Sequence, residues 1–290
     1  MFRQCILLCV LFTCIYTIGV HRYFRKHNDV ISYNVFLKCF IHAVSNHNYY
    51  MNYGLWTEGV STLEEANLQL VKFVFHKSEM ADQSNLNILD IGCGYGEQDM
   101  EWLKHMDTTN RITAVDISEE QIYSAMKKNT DICFDICDAS YIELKYKNQT
   151  FDRIISLESA FHYQERTLFF KQVNHLLKDN GKFIITDIML NPSYKTNQIT
   201  KLCLYIFADV LCIPAKNLIT EEKWDKQLSS ELNVIESINL SDKTFQPYYT
   251  YFMKQYCKNH NYPDWVGCAL SDFFCTYQPF LYKIAICTKK

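Results

Sequence analysis

The sequence predicts an α/β fold: a Rossmann-like, doubly wound, mostly parallel seven-stranded sheet with helical N-terminal and cap elements. Three observations predict it. Strand-like apolar runs alternate with helical periodicity from about residue 86 to 190. The run Asn87-Ile88-Leu89-Asp90-Ile91 opens into three alternating glycines, Gly92, Gly94 and Gly96. A second run, Arg111 to Val115, ends in an acid, Asp116, 22 residues after Gly94.

The elements follow in order. Residues 27–85 form a helical region, because Val35 to Val44 and Leu63 to Phe75 place apolar residues three and four apart. Between these lies an aromatic, polar stretch containing Tyr49, Tyr50, Tyr53 and Trp56. Strands are expected at 87–91, 111–116, 132–136, 151–157 and 181–188, with helices at 97–106, 118–128 and 165–178. Gly181, after Lys178-Asp179-Asn180, reads as a helix stop and turn. After Asn191-Pro192 the alternation breaks. Helices are expected at 197–213 and 220–231, and late strands at Val234 to Leu240 and Tyr282 to Thr288. The stretch from about 192 to 277, rich in tyrosine, is expected to cap a core domain spanning 86–290. No repeat or low-complexity linker divides the chain.

Size and charge narrow the function. A chain of 290 residues buries a full core. A net charge of −3 with interspersed signs gives no basic stripe, so no nucleic-acid partner is expected. Thirteen cysteines without C-x-x-C spacing read as reduced thiols, with neither a disulfide framework nor a metal site. Residues 5–20 carry no charge and are followed by His21, Arg22, Arg25 and Lys26. Three readings fit residues 1–26: a membrane anchor, a cleaved signal segment, or a helix packed on the domain. Basic residues are denser after the run than before it, so an anchor would leave the catalytic domain facing the cytosol. Signal cleavage would instead give a secreted or soluble protein. The oligomeric state is left open.

The glycine spacing decides between ligands. A dinucleotide site wants G-x-G-x-x-G with a helix N-terminus aimed at a pyrophosphate. Here the pattern is Asp90-x-Gly92-x-Gly94-x-Gly96 and Glu97 follows at the helix start, where its charge opposes a phosphate. A cofactor with no phosphate and a cationic amino-acid end fits better, which points to S-adenosylmethionine. Asp116 suits the ribose hydroxyls, or alternatively caps the next helix.

These residues resemble the class I S-adenosylmethionine-dependent methyltransferases. The small-molecule branch, acting on tocopherols, sterols, phosphobases and sugar hydroxyls, looks closest. The resemblance covers about residues 47–190 and is looser beyond. Leu89 to Gly96, with Asp90, Gly92, Cys93, Gly94 and Gly96, is similar to the family's first motif. Asp116 and Ile117 match its ribose-binding acid and the residue after it. Asp138 and Ala139 look like the pair that holds the adenine. Glu158 to Tyr163 resembles the loop after the fourth strand, where Glu158 lies beside the cofactor or ends the strand. The turn at Asp179-Asn180-Gly181 departs from the family's usual Pro-Gly-Gly.

The resemblance implies methyl transfer to a small, hydroxylated acceptor; the hydrophobic N-terminus and the aromatic C-terminal stretch point to a lipid-like one, with membrane contact through the N-terminal segment. His162 is the candidate base for a hydroxyl, since imidazole titrates near neutrality. Tyr49, Tyr50, Tyr53 and Trp56 are the candidate lid, with an aromatic packing cluster as the other reading. Two further functions stay open: a catalytically silent cofactor-binding or scaffold relative, and a methyltransferase acting on a protein or nucleic acid.

Overall fold

The computed structural model describes residues 49–194, 212–251 and 276–290, with scattered positions between 201 and 208. Segment 1–26, the helix expected at Val35 to Val44, most of 197–213 and the aromatic stretch 252–275 lie outside the described residues. Among the described residues, no helix is long and apolar enough to cross a membrane.

The chain runs α1 (Leu63–Lys77), β1 (Asn87–Ile91), α2 (Glu97–Leu103), β2 (Arg111–Asp116), α3 (Glu119–Lys128) and β3 (Cys133–Ile136). It continues through α4 (Ile142–Lys145), β4 (Phe151–Leu157), α5 (Arg166–Leu176), β5 (Leu177–Leu190), α6 (Glu221–Glu231), β6 (Asn233–Asn239) and β7 (Phe280–Thr288). The seven strands form one sheet in the order β3-β2-β1-β4-β5-β7-β6. Only β7 runs against its neighbours, pairing antiparallel with both β5 and β6. This is the expected doubly wound, mostly parallel sheet.

Local sequence explains the helices. Thr62 and Glu65 close α1 with a reciprocal capping box. Leu63, Ala66, Leu70, Val71 and Val74 then recur at helical spacing and are buried. Ser118 caps α3 by accepting from the Gln121 N–H, with Glu119 and Glu120 in the first turn and Lys127 and Lys128 in the last. Helix α2 starts instead at Gly96, with no side-chain cap, because the chain enters it from the glycine turn.

Strand alternation divides the core into two layers. Ile88, Ile155 and Ile184 face one side with Leu70, Trp102 and Ile122. Leu89, Ile154 and Phe183 face the other with Phe169, Phe170 and Trp224. Helices therefore cover both faces, and Ile88 to Ile91 of β1 are all buried. At about 25 cal/mol per Å² of apolar surface, this double coverage is the main stabilising term.

The turn expected at Gly181 takes another form. Strand β5 begins at Leu177, directly after α5, and Lys178 to Gly181 bulge out between the pairs Phe151↔Leu177 and Arg153↔Lys182. A Cβ at Gly181 would stand 2.9 Å from the Leu177 side chain, so the bulge closes tightly only around glycine. Arg166 ties distant elements together. Its guanidinium donates to Asp187 on β5 at 3.0 Å and to Gln227 on α6 at 3.2 Å, and Trp224 donates to the same Asp187 at 2.6 Å.

Candidate active site

Strand order reverses between β1 and β4, and open α/β sheets bind their ligands in the cleft beyond the carboxyl ends at such a point. Gly92, Gly94 and Gly96 have φ of 86°, 58° and 73°, a region that side chains with a Cβ enter only at a cost. The Gly92 and Cys93 amides donate to Val115 O at 2.8 and 3.0 Å, lacing the turn to the end of β2. A Cβ on Gly92 would lie 2.3 Å from Ser159 Cβ, and one on Gly96 2.6 Å from the Phe134 ring. Those two glycines are packing positions. Gly94 differs, because a Cβ there meets only the flexible end of Met51 at 2.6 Å and Gln121 Oε1 at 3.4 Å. It faces the cleft.

Asp116 closes β2 beside this turn. Its Oδ2 accepts from the Gly94 N–H at 3.0 Å and its Oδ1 from the Ser118 N–H at 2.9 Å. Burial raises its carboxyl above the usual range. Ile117, the next residue, is 46% exposed, an apolar side chain held at the rim next to the acid. The Cys137 N–H donates to Asp116 O at 2.9 Å, which brings the end of β3 alongside. There Asp138 accepts from the Ser140 N–H at 2.8 Å and starts the short turn 139–141, with Ala139 buried behind it. Cys93 is buried, and desolvation with three nearby acids pushes its thiol well up.

Under the glycines lies an acidic pair that carries the least satisfied polar atoms described. Asp90 and Asp99 are both fully buried. Gln98 donates to Asp90 Oδ2 at 2.6 Å. Asp90 Oδ1, both Asp99 oxygens and both Gln121 amide atoms have no ordinary hydrogen-bond partner. Burial first, and repulsion between neighbouring acids with it, lifts Asp90 to about 7 and Asp99 well above its usual value. Two adjacent buried carboxyls keep a proton between them unless a cation arrives. Sequence reasoning missed Asp99 and Gln121. Two successive polar residues, Gln98 and Asp99, at the start of a helix lying on the sheet were the available signal.

The Tyr49–Trp56 stretch crosses this cleft. The Tyr49 ring lies 5.1 Å from Tyr95 of the glycine turn, and Lys128 stands over both rings at 4.5 and 5.5 Å while pairing with Glu97. Met51 covers Gly94. Tyr50 is half-buried, and desolvation with nearby Glu101 raises its hydroxyl to about 12. Tyr53 packs edge-on against Phe245 and Tyr248 at 5.1 and 5.0 Å. Trp56 donates its ring N–H to Tyr53 O and its amide to Lys243 O, and its ring tilts onto Tyr251 at 5.2 Å.

The loop after β4 forms the opposite wall. Ser159 Oγ and Tyr163 OH both donate to Ile91 O, at 2.8 and 3.1 Å, pinning the end of β1. Glu158 has φ 51° and its carboxylate meets Tyr53 and Tyr282. His162 ends the short turn 160–162, with Nδ1 3.4 Å from Cys212 O. The cofactor candidates Gly92 to Gly96, Asp116, Ile117, Asp138 and Ala139 thus share one end of the sheet. Glu158 and His162 share the neighbouring loop, and the aromatic stretch lies between. Among the described residues no cluster of His, Cys, Asp and Glu has metal-binding geometry.

This arrangement agrees with what the chain is similar to. Residues 89–185 match the model of the methyltransferase domain family. Erythromycin 3''-O-methyltransferase of Saccharopolyspora erythraea is 30% identical over 224 residues, 74% of this chain and 72% of that protein. 27-O-demethylrifamycin SV methyltransferase of Amycolatopsis mediterranei is 30% identical over 49% of this chain and 53% of its own length. The crystal structure of the [4+2]-cyclase SpnF superposes with a TM-score of 0.68 at 16% identity, over 87% of this chain and 93% of that one. That likeness shows the fold alone, since a cyclase and methyltransferases share it. With the fold, the glycine turn and the relatives together, the chain belongs to the class I S-adenosylmethionine-dependent methyltransferases of the small-molecule branch.

Proposed function

We propose that this protein transfers the methyl group of S-adenosylmethionine to a hydroxyl of a small acceptor. The observation that carries the reading is the buried acid pair Asp90 and Asp99 at the glycine turn, three of whose oxygens have no ordinary hydrogen-bond donor besides each other. The amino-acid end of the cofactor is cationic, and it would favour the ionised pair over the proton that Asp90 and Asp99 otherwise share. Asp116 would hold the ribose, Ile117 and Ala139 would flank the adenine, and Asp138 would hold its amino group. The names of both relatives specify an oxygen as the methylated atom, which supports a hydroxyl acceptor. A lipid-like acceptor reached through an N-terminal anchor at residues 5–20, on the cytosolic side, remains part of the proposal on sequence grounds alone.

When bound, the sulfonium would supply an activated methyl group, and its transfer to the acceptor oxygen would leave a neutral thioether behind. The protein's task is to align the acceptor oxygen, exclude water and take one proton. His162 Nδ1 lies 3.4 Å from Cys212 O, and in the tautomer that donates there Nε2 would be the basic nitrogen. There it would accept the hydroxyl proton as the acceptor oxygen takes up the methyl group. The aromatic Tyr49–Trp56 stretch shields the cleft.

The test is label transfer from methyl-labelled cofactor into a panel of hydroxylated small molecules and lipid extracts, with mass identification of the product. His162→Ala should lower kcat by about 10²-fold or more, as loss of a general base does, and leave adenosylhomocysteine binding intact. Cofactor binding without label transfer to any acceptor would support the silent-relative reading instead. Unchanged turnover in His162→Ala across pH 6–9 would remove the base.

A further inference from the structure

The loop after β4 contains a buried carboxylate that no step of the proposed transfer uses. Glu158 is 8% exposed, yet both its oxygens accept from one backbone amide, that of Tyr53, at 3.0 and 3.1 Å. Its Oε1 also accepts from Tyr282 OH at 2.7 Å. The residue is held in a left-handed conformation at φ 51°, with its own amide bonded to Thr186 Oγ1 at 2.8 Å. A glutamate in that backbone region costs energy that the neighbouring contacts must offset. Four elements meet at this one residue: β4, β5, β7 and the Tyr49–Trp56 stretch.

Aromatic packing extends the junction. Phe245 lies edge-on to both Tyr53 and Tyr282, at 5.1 and 5.8 Å, so its ring fills the angle between the two Glu158 partners. Leu240 donates its amide to Tyr282 O, and Trp56 donates its own to Lys243 O. The Tyr49–Trp56 stretch is therefore fixed at one end by Glu158 and the 240–251 segment. At its other end Met51 covers Gly94 and Tyr49 lies under Lys128. His162 follows Glu158 by four residues on the same loop.

We infer that Glu158 and Tyr282 are positioning residues: together they latch the Tyr53 amide and so hold the Tyr49–Trp56 stretch across the mouth of the methyl-transfer cleft. The inference rests on the cleft being the cofactor site. Product release then requires the Tyr53 amide to leave Glu158, and the same break loosens the wall that carries His162.

The experiment measures hydrogen exchange of the peptide spanning 49–56 in the full-length protein without cofactor, and the off-rate of adenosylhomocysteine. Variants are Tyr282→Phe, which keeps the ring, Glu158→Gly, which removes the carboxylate where φ already suits glycine, and the conservative Glu158→Gln. Exchange at Tyr53 should accelerate about 10-fold or more in Glu158→Gly, less in Tyr282→Phe, and least in Glu158→Gln, which keeps one acceptor. The adenosylhomocysteine off-rate should rise in the same order. Folded variants with wild-type exchange at Tyr53 would overturn the latch. Failure of the wild-type protein to bind adenosylhomocysteine would overturn the cofactor site, while the exchange data would still judge the latch.

Discussion

The carboxyl pair under the glycine turn gives the site a definite pH behaviour. Asp90 is raised to about 7 by burial, so the folded chain holds a proton that the unfolded chain has already lost. Stability from this group is therefore complete below about pH 4 and falls as pH rises toward 7. Glu158, raised to about 8 by burial, adds the same sign between about 4.5 and 8. Thermal midpoints measured from pH 5 to 8 should decline, and Asp90→Asn should flatten the decline; a rising wild-type curve would contradict the assignment. A cationic ligand acts the other way by favouring the ionised pair. Cofactor affinity should rise through about pH 7 with proton release, readable by calorimetry in buffers of different ionisation enthalpy. The glycines separate at the same scale. Gly94→Ala should keep the fold but lose affinity, its φ of 58° and Met51 being the only obstacles. Gly92→Ala should cost about 2–5 kcal/mol from strain plus overpacking against Ser159.

Between elements, the buried Arg166 and Asp187 pair joins α5 to β5, and Trp224 and Gln227 bring in α6. Removing one partner leaves a buried charge, a loss of about 3–5 kcal/mol. For a domain of this size that is roughly 6–20 °C in Tm, and Arg166→Met should show it by calorimetry, with Asp187→Asn in the same background recovering part. A drop under about 2 °C would mean that the pair contributes little. Much at this scale was legible in the sequence, because the signals are local. The apolar runs of β1, β2 and β4 each declare themselves within a few residues. The bulge at Lys178 to Gly181 was not legible, since only pairing with β4 shows that the chain stays in the sheet. The Arg166 pair was not legible either, because its partner Asp187 is 21 residues away.

For the whole molecule, the sheet order turns separate local motifs into one cleft, and the site divides along the same line. The glycine turn and Asp116 could be read from spacing, because backbone shape and a strand-ending acid leave a pattern in sequence. Asp99, Gln121, Met51 and Tyr282 could not, because their roles arise where segments far apart in the chain converge. Tyr282 meets Glu158 across 124 residues. The central claim is that the turn at Gly92 to Gly96 and the Asp116 carboxylate seat an adenosyl cofactor. Its most direct measurement is calorimetric titration of adenosylhomocysteine into the wild-type protein and Asp116→Ala. The account predicts one site per chain in the wild type and an affinity at least about 10-fold weaker in the variant, the loss of a charge-assisted pair of hydrogen bonds. Equal affinity in a folded Asp116→Ala, or no binding by the wild type, would contradict it.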